Sequence, residues 1–493
     1  MAPIATFEPG RHAVGSADWD FGTIEVSKPG STTGETISVQ HFGTLRYPAA
    51  AAGSGQPAAP GGPFPFVVFS HGRYHAPPYI GHNHEQATYL IEHLASWGFV
   101  VASVNLDVVG QYGQPSAIKQ RGEIVLATIA AFEQLDPALC DADFEHIGLV
   151  GHSRGGEGCL AAWKQNSAGH AIEAIATIAL TNYQNTFVTG VPYLGLYGSK
   201  DGDVNNGMPI KVYDQAQPQP KLLQYIEGAN HFWFTDSIHY SGEGPGLITR
   251  EQHHDLARTY ITAFLLATLR DTPLPLEGLC DGPSLFPITD TITVHPLYAD
   301  ADRLLINGFE EADGDPGSNS LGGASAGDLL LTQDEESLDA ATKTFYHRTR
   351  GGWLAYDTGG ALPPDLSPAY VEALPGGVDA GAYSHLSLNA LQRWNAPLNT
   401  AGQAQDLHLM LVDEQGRSAQ VALSDWGTIP WPITHGSSSS FPKKSVLRTT
   451  RIPLREFSLA NPALDLSDIR LVSLVFDSTP SADLRLDDLS FTR

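Results

Sequence analysis

The sequence GHSRGG at residues 151–156 constrains the fold of this chain more than any other stretch. It lies between an apolar run at 146–150 and a stretch with helical periodicity at 156–166. Glycines at 151 and 155 remove the Cβ atoms that would collide where a strand turns sharply into a helix, and such a turn exposes the hydroxyl of Ser153 at the carboxyl end of a sheet. The alternative is a serine that only caps the helix. Because the motif lies directly between strand and helix, we favour a nucleophile.

Predicted strands alternate with predicted helices along the first half of the chain. Six short apolar segments are bounded by Gly, Pro or Asn, as is typical of parallel strands in a sheet covered on both faces; they are 64–70, 98–105, 146–152, 174–180, 191–198 and 221–228. Helical periodicity is found at 84–97, 117–135, 156–166 and 248–270, and a leading antiparallel pair of strands is predicted at 23–26 and 36–48. The alternation predicts an α/β fold with a doubly wound, mostly parallel sheet.

A serine nucleophile needs a base and a group that orients the base. Asp201 follows the strand predicted at 191–198, and His231 follows the last predicted strand. Asp203 is the alternative acid. The simpler interpretations are an exposed turn carboxylate and an ordinary loop histidine. Three residues in the order Ser, Asp, His, each just beyond a strand, favour a catalytic triad.

Acyl transfer also needs hydrogen-bond donors for the negative oxygen of the tetrahedral intermediate. We expect one donor to be the backbone N–H of Arg154, directly after the nucleophile, and the other to be the backbone N–H of Arg73 in the segment SHGRYH. Gly72 allows the chain to approach closely there. The simpler function of the Arg154 side chain is packing, or pairing with Glu157 one turn later.

Histidines cluster after the first predicted parallel strand, at 71, 75, 82 and 84, with Glu85 adjacent. A cluster with His-x-His spacing could bind a transition metal. No cysteine or carboxylate pattern completes a recognised metal motif. We therefore favour histidines that line a polar cleft or cap the helix that begins near 84.

Taken together, these segments resemble the α/β-hydrolase fold over about 64–270. The motifs that carry the resemblance are FPFVVFSHG, LASWGFVVASVN, GQPSAIKQRGEIVLATIAAF, GHSRGG, YGSKDGDV and EGANHF. They are most similar to cutinase-like polyester hydrolases, with dienelactone hydrolases, platelet-activating-factor acetylhydrolases and chlorophyllases near by. The resemblance implies Ser153 as nucleophile, His231 as base and Asp201 as its orienting acid, with the Arg73 and Arg154 amides as the oxyanion hole.

The resemblance also implies an aromatic residue that contacts the acyl group, for which Tyr183 and Tyr74 are the candidates. His75, His152 and Phe232 complete the substrate-binding residues that we expect. The chain departs from the polyester hydrolases because Arg154 stands where they usually have methionine, and GHSRGG is nearer the chlorophyllase form. Their disulfide near the end of the catalytic domain also has no counterpart. These departures bear on the substrate rather than on the ester chemistry.

After Cys280 the helical periods fade, and short strand patterns separated by turn residues predict an all-β sandwich. The predicted strands are DTITVH, RLLINGF, DLHLMLVD, SAQVALS, VLRTTRIPL, IRLVSLVFD and LRLDDLSF. Its first and last strand patterns, LLINGFEEADGD and LRLDDLSF, resemble those of jelly-roll carbohydrate-binding modules. That resemblance implies a structural calcium held by Glu310 or Glu311 with Asp488, and surface carboxylates are the equal alternative. Four tryptophans in this region suit either sugar stacking or the core; they are Trp353, Trp394, Trp426 and Trp431. We expect a catalytic domain at 1–280, a linker at 281–300 and the sandwich at 301–493.

Composition excludes some classes of partner. The formal net charge is −26 without a basic patch, which argues against nucleic acid and anionic membranes. Three cysteines cannot form a disulfide framework, and no apolar stretch is long enough to span a membrane. The N-terminus lacks a signal-peptide pattern, so we expect either an intracellular protein or, preferentially, a secreted or periplasmic mature form. We expect a monomer.

The sequence therefore predicts a serine carboxylic-ester hydrolase with no catalytic cofactor, acting through an acyl-enzyme on aliphatic or aromatic (poly)esters, with an insoluble polymer among the candidate substrates. The alternatives are a lipid or chlorophyll-type esterase or a peptidase with the same triad. A carbohydrate-binding or scaffolding protein with an inert hydrolase domain is the alternative from another class.

Overall fold

The computed structural model describes residues 6–493 except for 74–80, 111–116, 136–139, 218–219, 237–246, 271–275, 281–290, 311–315, 344, 346, 361–366 and 437–442. The described chain divides into two compact units. The first is formed mainly by residues 1–279, and the second mainly by 295–435 and 440–493.

The first unit contributes nine strands to one mixed sheet: β1 (Ala13–Ser27), β2 (Thr36–Ala49), β3 (Gly53–Ser54), β4 (Phe64–Ser70), β5 (Val100–Val104), β6 (Ala142–His152), β7 (Ile172–Ile178), β8 (Tyr193–Gly198) and β9 (Lys221–Ile226). Their order across the sheet is β9-β8-β7-β6-β4-β5-β2-β1-β3. Strands β4 to β9 pair in parallel, while β2 is antiparallel to both β1 and β5. This strand order is that of an α/β-hydrolase.

Helices accompany the strands of the first unit: α1 (Thr88–Ser96), α2 (Asp107–Gly110), α3 (Ile118–Phe132), α4 (Arg154–Gln165), α5 (Met208–Gln215) and α6 (Arg250–Leu269). All described side chains of β4, β5, β8 and β9 are buried, because helices cover the central sheet. The carboxyl ends of the parallel strands therefore share one edge, from which the loops of the candidate site emerge. We name it the carboxyl edge.

The α/β prediction is confirmed, and the predicted parallel strands lie within a few residues of the observed ones. The helix predicted to begin near 84 differs: a 3-10 turn occupies Asn83–Glu85, and α1 starts at Thr88. Two helices, α2 and α5, were not expected.

The second unit consists mainly of antiparallel strands, confirming the predicted all-β sandwich. Strand β10 (Val294–Ala299) begins at the unit boundary and belongs to neither sheet of the sandwich. The other strands are β11 (Leu304–Asn307), β12 (Ser325–Asp328), β13 (Thr332–Ser337), β14 (Arg350–Asp357), β15 (Ala369–Val378), β16 (His385–Gln392), β17 (His408–Asp413), β18 (Ser418–Ala422), β19 (Ile433–Thr434), β20 (Lys443–Lys444), β21 (Arg448–Pro453), β22 (Ile469–Val475) and β23 (Ser481–Thr492). Two short helices, α7 (Leu338–Ala341) and α8 (Leu454–Ala460), complete the unit.

Two sheets of this unit enclose a common core. One runs β13-β14-β23-β16-β21, with β11 on β23, and the other runs β12-β15-β22-β17-β18. Leu388 and Leu484 of the first sheet belong to the same buried cluster as Leu409 and Leu474 of the second. Inner faces that share a core in this way define a β-sandwich.

The three cysteines, Cys140, Cys159 and Cys280, are buried and form no disulfide with one another. In the part of the chain that the structure describes, we find no helix of the length and hydrophobicity needed to cross a bilayer.

Candidate active site

The turn between β6 and α4 holds Ser153 in a strained conformation. Its backbone has φ 55° and ψ −124°, a region that L-residues rarely adopt and that costs about 1–3 kcal/mol. Its N–H donates to the carbonyl of Ile178 at 2.8 Å, which ties the turn to the end of β7. The side chain makes no helix-capping hydrogen bond, although the residue stands at the N-cap of α4. This geometry favours the nucleophile over the simple cap.

Glycines allow the strand, the turn and the neighbouring loop to lie against one another. A Cβ on Gly155 would overlap the carbonyl oxygen of Ser70 and lie 2.6 Å from that of His71. A Cβ on Gly151 would lie 2.5 Å from the carbonyl oxygen of Gly155. The segment that follows β4 therefore runs directly beside the turn of Ser153. We call residues 71–73 the oxyanion loop.

Asp201 and His231 form a buried pair in the loops after β8 and β9. The Nδ1 of His231 lies 2.9 Å from Oδ2 of Asp201, and both side chains are at most 1% exposed. The other oxygen of Asp201 accepts the N–H groups of Asp203 at 3.0 Å and Val204 at 2.6 Å. Because the carboxylate is held from both sides, it favours the proton of His231 on Nδ1, which makes Nε2 the nitrogen suited to act as a base.

His152 connects this pair to the nucleophile turn. Its Nε2–H donates to the carbonyl of His231 at 2.9 Å, and the two rings lie 4.8 Å apart. Burial, together with the nearby His231, lowers the pKa of His152 well below its usual value. His152 is therefore a neutral, buried donor, and it ties the backbone of His231 to the residue that precedes Ser153. This contact gives His152 a positioning function, and its contact with the substrate stays a prediction.

Asp203 lies on the solvent side of the same histidine. Its Oδ2 is 3.4 Å from Nε2 of His231, and its side chain is 59% exposed. A carboxylate there favours the imidazolium that forms when the base takes a proton. Of the two candidate acids, Asp201 is the one hydrogen-bonded to Nδ1.

Two buried side chains, those of His71 and Arg121, hold the backbone of the oxyanion loop. His71 donates from Nδ1 to the carbonyl of Gly72 at 2.6 Å and accepts the N–H of Leu106 on Nε2 at 2.8 Å. Burial lowers the pKa of His71 to about 3, so the ring is neutral. Arg121 of α3 donates from one terminal nitrogen to the carbonyl of His71 at 2.8 Å and is 1% exposed.

Arg121 is a residue that the sequence analysis missed. Its Nε and remaining terminal nitrogen have no hydrogen-bond partner among the described residues. Burial lowers the pKa of Arg121 to about 9. The sequence does carry a signal for its burial. Arg121 shares one helical face with the apolar residues Ile118 and Val125, where an arginine is unexpected.

Glu157 of the GHSRGGEG motif holds the loop after β7. Its carboxylate accepts the hydroxyl of Thr181 at 2.7 Å and the N–H of Gln184 at 2.6 Å. Burial raises the pKa of Glu157. Tyr183, the candidate for contact with the acyl group, lies between these two donors in the sequence. Glu157 therefore holds the backbone on either side of Tyr183.

The remaining predicted site residues divide by position. Tyr183 is 43% exposed, and the ring of Phe232 packs edge-on against His231 at 4.9 Å. Arg73 and Arg154 occupy the oxyanion loop and the first position of α4, and their oxyanion function stays a prediction. Tyr74 and His75 lie outside the described residues.

The candidate metal ligands are placed as follows. Asp488 lies 3.0 Å from the guanidinium of Arg303, which a calcium ion would have to displace, and Glu310 accepts the N–H of Arg350. Glu311 lies outside the described residues, so the calcium site stays a prediction. Among described residues, one group of three ligating side chains comes together, and it consists of His82, His84 and Glu85.

His71 does not belong to that histidine group, because both of its ring nitrogens are hydrogen-bonded to backbone. The Nδ1 of His84 lies 3.0 Å from the amide nitrogen of Asn105. That amide donates, so the ring proton of His84 belongs on Nε2, the nitrogen nearest Glu85. This tautomer does not suit a metal ligand, and the polar-cleft interpretation of the histidines is favoured.

Comparison with known proteins adds a family match. A family model described as Chlorophyllase matches residues 23–183, less than half of the chain. The matched part includes Ser153 and the oxyanion loop and ends before Asp201 and His231. No curated protein matches the chain. Among solved structures, a ferulic acid esterase from Streptomyces cinnamoneus aligns with a TM-score of 0.46 at 18% identity, over 58% of this chain and 98% of that chain.

Proposed function

We propose that this carboxylic ester hydrolase of α/β-hydrolase fold acts through a covalent acyl-enzyme on Ser153, with His231 as the base and Asp201 as the residue that orients it. The observation that carries the proposal is the strained Ser153, tied through His152 to a histidine that is itself held by a buried carboxylate.

In the first half of the reaction, Nε2 of His231 takes the hydroxyl proton of Ser153 as the oxygen attacks the ester carbonyl. Asp201 stabilises the imidazolium, and the backbone N–H groups of Arg73 and Arg154 donate to the oxyanion. His231 then returns the proton to the leaving alcohol. In the second half, His231 activates water, which releases the acid and regenerates Ser153. This sequence of steps requires no organic cofactor.

A fluorophosphonate label tests the nucleophile directly. We expect stoichiometric modification of Ser153 in the folded full-length chain and none in the Ser153→Ala variant. Loss of labelling in Asp201→Asn would link reactivity to the buried pair. Absence of labelling in intact protein would overturn the proposal and favour an inert hydrolase unit beside a binding module.

The substrates that we propose are aliphatic or aromatic esters, including those of polyesters. The partly exposed Tyr183 and the ring of Phe232 near His231 support an apolar acyl group. A panel of p-nitrophenyl esters of rising acyl length, followed by a polyester film, tests this. Cleavage of soluble esters with no release from the film would limit the proposal to small substrates.

A chlorophyll-type esterase is the second candidate, and the family match over 23–183 favours it. Arg154 after the nucleophile also agrees with the GHSRGG form expected for chlorophyllases. Hydrolysis of chlorophyll, compared with p-nitrophenyl esters on the same preparation, separates the two candidates. A peptide substrate in the same assay tests the peptidase alternative.

A further inference from the structure

A second cavity of the first unit lies far from Ser153. It has a volume of about 510 Å³, within the range of small-molecule sites, and it lies between the N-terminal segment, the end of α1 and the end of α6. Its lining residues are Pro9, Gly10, Arg11, Trp97, Leu266 and Arg270. We name it the arginine pocket.

The arginine pocket lies at the edge of the sheet opposite the carboxyl edge. Trp97 precedes β5, so it is near the amino ends of the parallel strands. Helix α6 starts beside the loop of His231, where His254 lies 3.3 Å from the carbonyl of Thr235, and its last residue precedes Arg270. A helix of 20 residues is about 30 Å long. The pocket and the candidate active site are therefore separate.

The walls of the arginine pocket are held in place. Arg270 donates to the carbonyl of Trp97 at 2.9 Å, and the indole N–H of Trp97 donates to the carbonyl of Glu8 at 2.9 Å. The N-terminal segment is fixed to α1, because the N–H of Gly10 donates to the hydroxyl of Ser96 at 2.8 Å. Hydrogen bonds to backbone carbonyls thus hold the guanidinium of Arg270 and the indole of Trp97 in place.

The charge of the pocket is uncompensated among the described residues. Neither Arg11 nor Arg270 lies within 4.0 Å of a carboxylate there, and their recorded hydrogen bonds go to His12 and to a carbonyl. Burial lowers the pKa of Arg270, and the nearby Arg11 adds to that effect. Two other arginines of this unit pair with acids: Arg46 with Glu92 at 3.1 Å, and Arg258 with Asp255 at 3.0 Å.

In a chain with 54 acidic and 28 basic residues, two neighbouring guanidinium groups with no carboxylate beside them among the described residues form a locally positive site that favours an anion. Guanidinium groups bind carboxylates through paired hydrogen bonds. Trp97 and Leu266 offer apolar contact to whatever is attached to that carboxylate. We propose that the arginine pocket binds a small organic carboxylate with an apolar or aromatic body. The acid released by ester hydrolysis belongs to this class, and that connection alone rests on the proposed function.

The test uses full-length Ser153→Ala protein, so that binding is measured without turnover and separately from the proposed catalysis. Benzoate is titrated by isothermal calorimetry, with benzamide as the neutral isostere and inorganic phosphate as the anion without an apolar body. We expect saturable binding of one benzoate, and at least tenfold weaker binding of benzamide and phosphate.

Two substitutions assign the site. Arg270→Gln and the more exposed Arg11→Gln are each expected to weaken benzoate binding at least tenfold. Arg455→Gln, which removes the same charge from an exposed arginine of the second unit, is expected to leave it unchanged. The proposal is overturned if benzoate fails to bind, if benzamide or phosphate binds equally well, or if Arg11→Gln and Arg270→Gln have no effect.

Discussion

The most deeply buried arginines among the described residues of the two units, Arg121 and Arg485, have opposite surroundings. Arg485 of the sandwich donates to Glu336 from Nε at 2.7 Å and to Asp483 from a terminal nitrogen at 2.5 Å. Its guanidinium also lies 4.4 Å from the ring of Trp353. Arg121 of the hydrolase unit has a single recorded hydrogen bond, to the carbonyl of His71.

This difference separates two reasons for burying a charge. A guanidinium that is paired on every nitrogen stabilises the architecture around it, because its desolvation is offset locally. A guanidinium bound only to a carbonyl is unfavourable for stability and needs another explanation. Because Arg121 holds the loop beside Ser153, we infer that it serves catalysis. The expected outcomes below test this contrast between the units.

The largest effect is expected from Asp201→Asn. An amide in place of the buried carboxylate favours the wrong tautomer of His231, so kcat should fall by about 10⁴-fold with the fold retained. Steady-state kinetics on p-nitrophenyl butyrate measures it, and Asp203→Asn is the matched control with a small effect. A fall of less than tenfold in Asp201→Asn would mean that the buried pair does not serve catalysis.

Acidification should destabilise the hydrolase unit next. Burial lowers the pKa of His93 and of His253 to about 4. The unfolded chain takes up these protons near pH 6.5 while the native state does not, so stability is complete above about pH 6.5 and is lost as the pH falls towards 4. At pH 5 each residue lowers the free energy of unfolding by about 2 kcal/mol.

The sandwich provides the comparison for this pH dependence. Among its described histidines is His385, whose pKa is lowered by burial to about 3. Pulse proteolysis in urea at pH 7.5 and pH 5, with fragments of each unit followed by mass spectrometry, measures both units in one sample. Equal loss of stability in the two units would contradict the assignment of the effect to buried histidines of the first.

Arg485→Met should destabilise the sandwich by about 3 kcal/mol, because it leaves Glu336 and Asp483 without their shared cation. Arg393 remains 3.3 Å from Glu336 and limits the loss. Urea unfolding of the second unit measures this, and ester hydrolysis should be unchanged. A comparable loss of activity would erase the distinction between the two arginines.

The strands and the triad candidates could be predicted because their signals are local. Buried parallel strands are apolar on both faces, and Ser153, Asp201 and His231 each follow one of them directly. Strands β12 to β16 were missed because they carry polar residues that are buried on the sheet, such as Ser387 and Asn389 of β16, or are mainly polar, as in β13.

The support of the candidate site could not be predicted for a related reason. The apolar face of α3 indicates that Arg121 is buried, but nothing in that pattern tells that its guanidinium lies under the oxyanion loop, because that depends on a contact with a segment 50 residues earlier. The same holds for His152, whose partner is the carbonyl of His231. Tertiary contacts of polar side chains decide function here, and periodicity does not encode them.

The smallest and most discriminating effect is expected from Arg121→Met. Methionine keeps much of the volume and removes a charge whose other nitrogens have no described partner, so the free energy of unfolding should change by less than about 1.5 kcal/mol. The carbonyl of His71 loses its donor, the oxyanion loop loosens, and kcat should fall about 10- to 100-fold with KM nearly unchanged.

Inhibition by a boronic acid that mimics the tetrahedral intermediate should weaken in proportion to kcat. Exogenous guanidinium should partly restore kcat in Arg121→Ala, which a merely structural function would not allow. If kcat and KM are both unchanged while stability rises, Arg121 and Arg485 differ only in their pairing, and the inference from an unpaired buried arginine to catalysis fails.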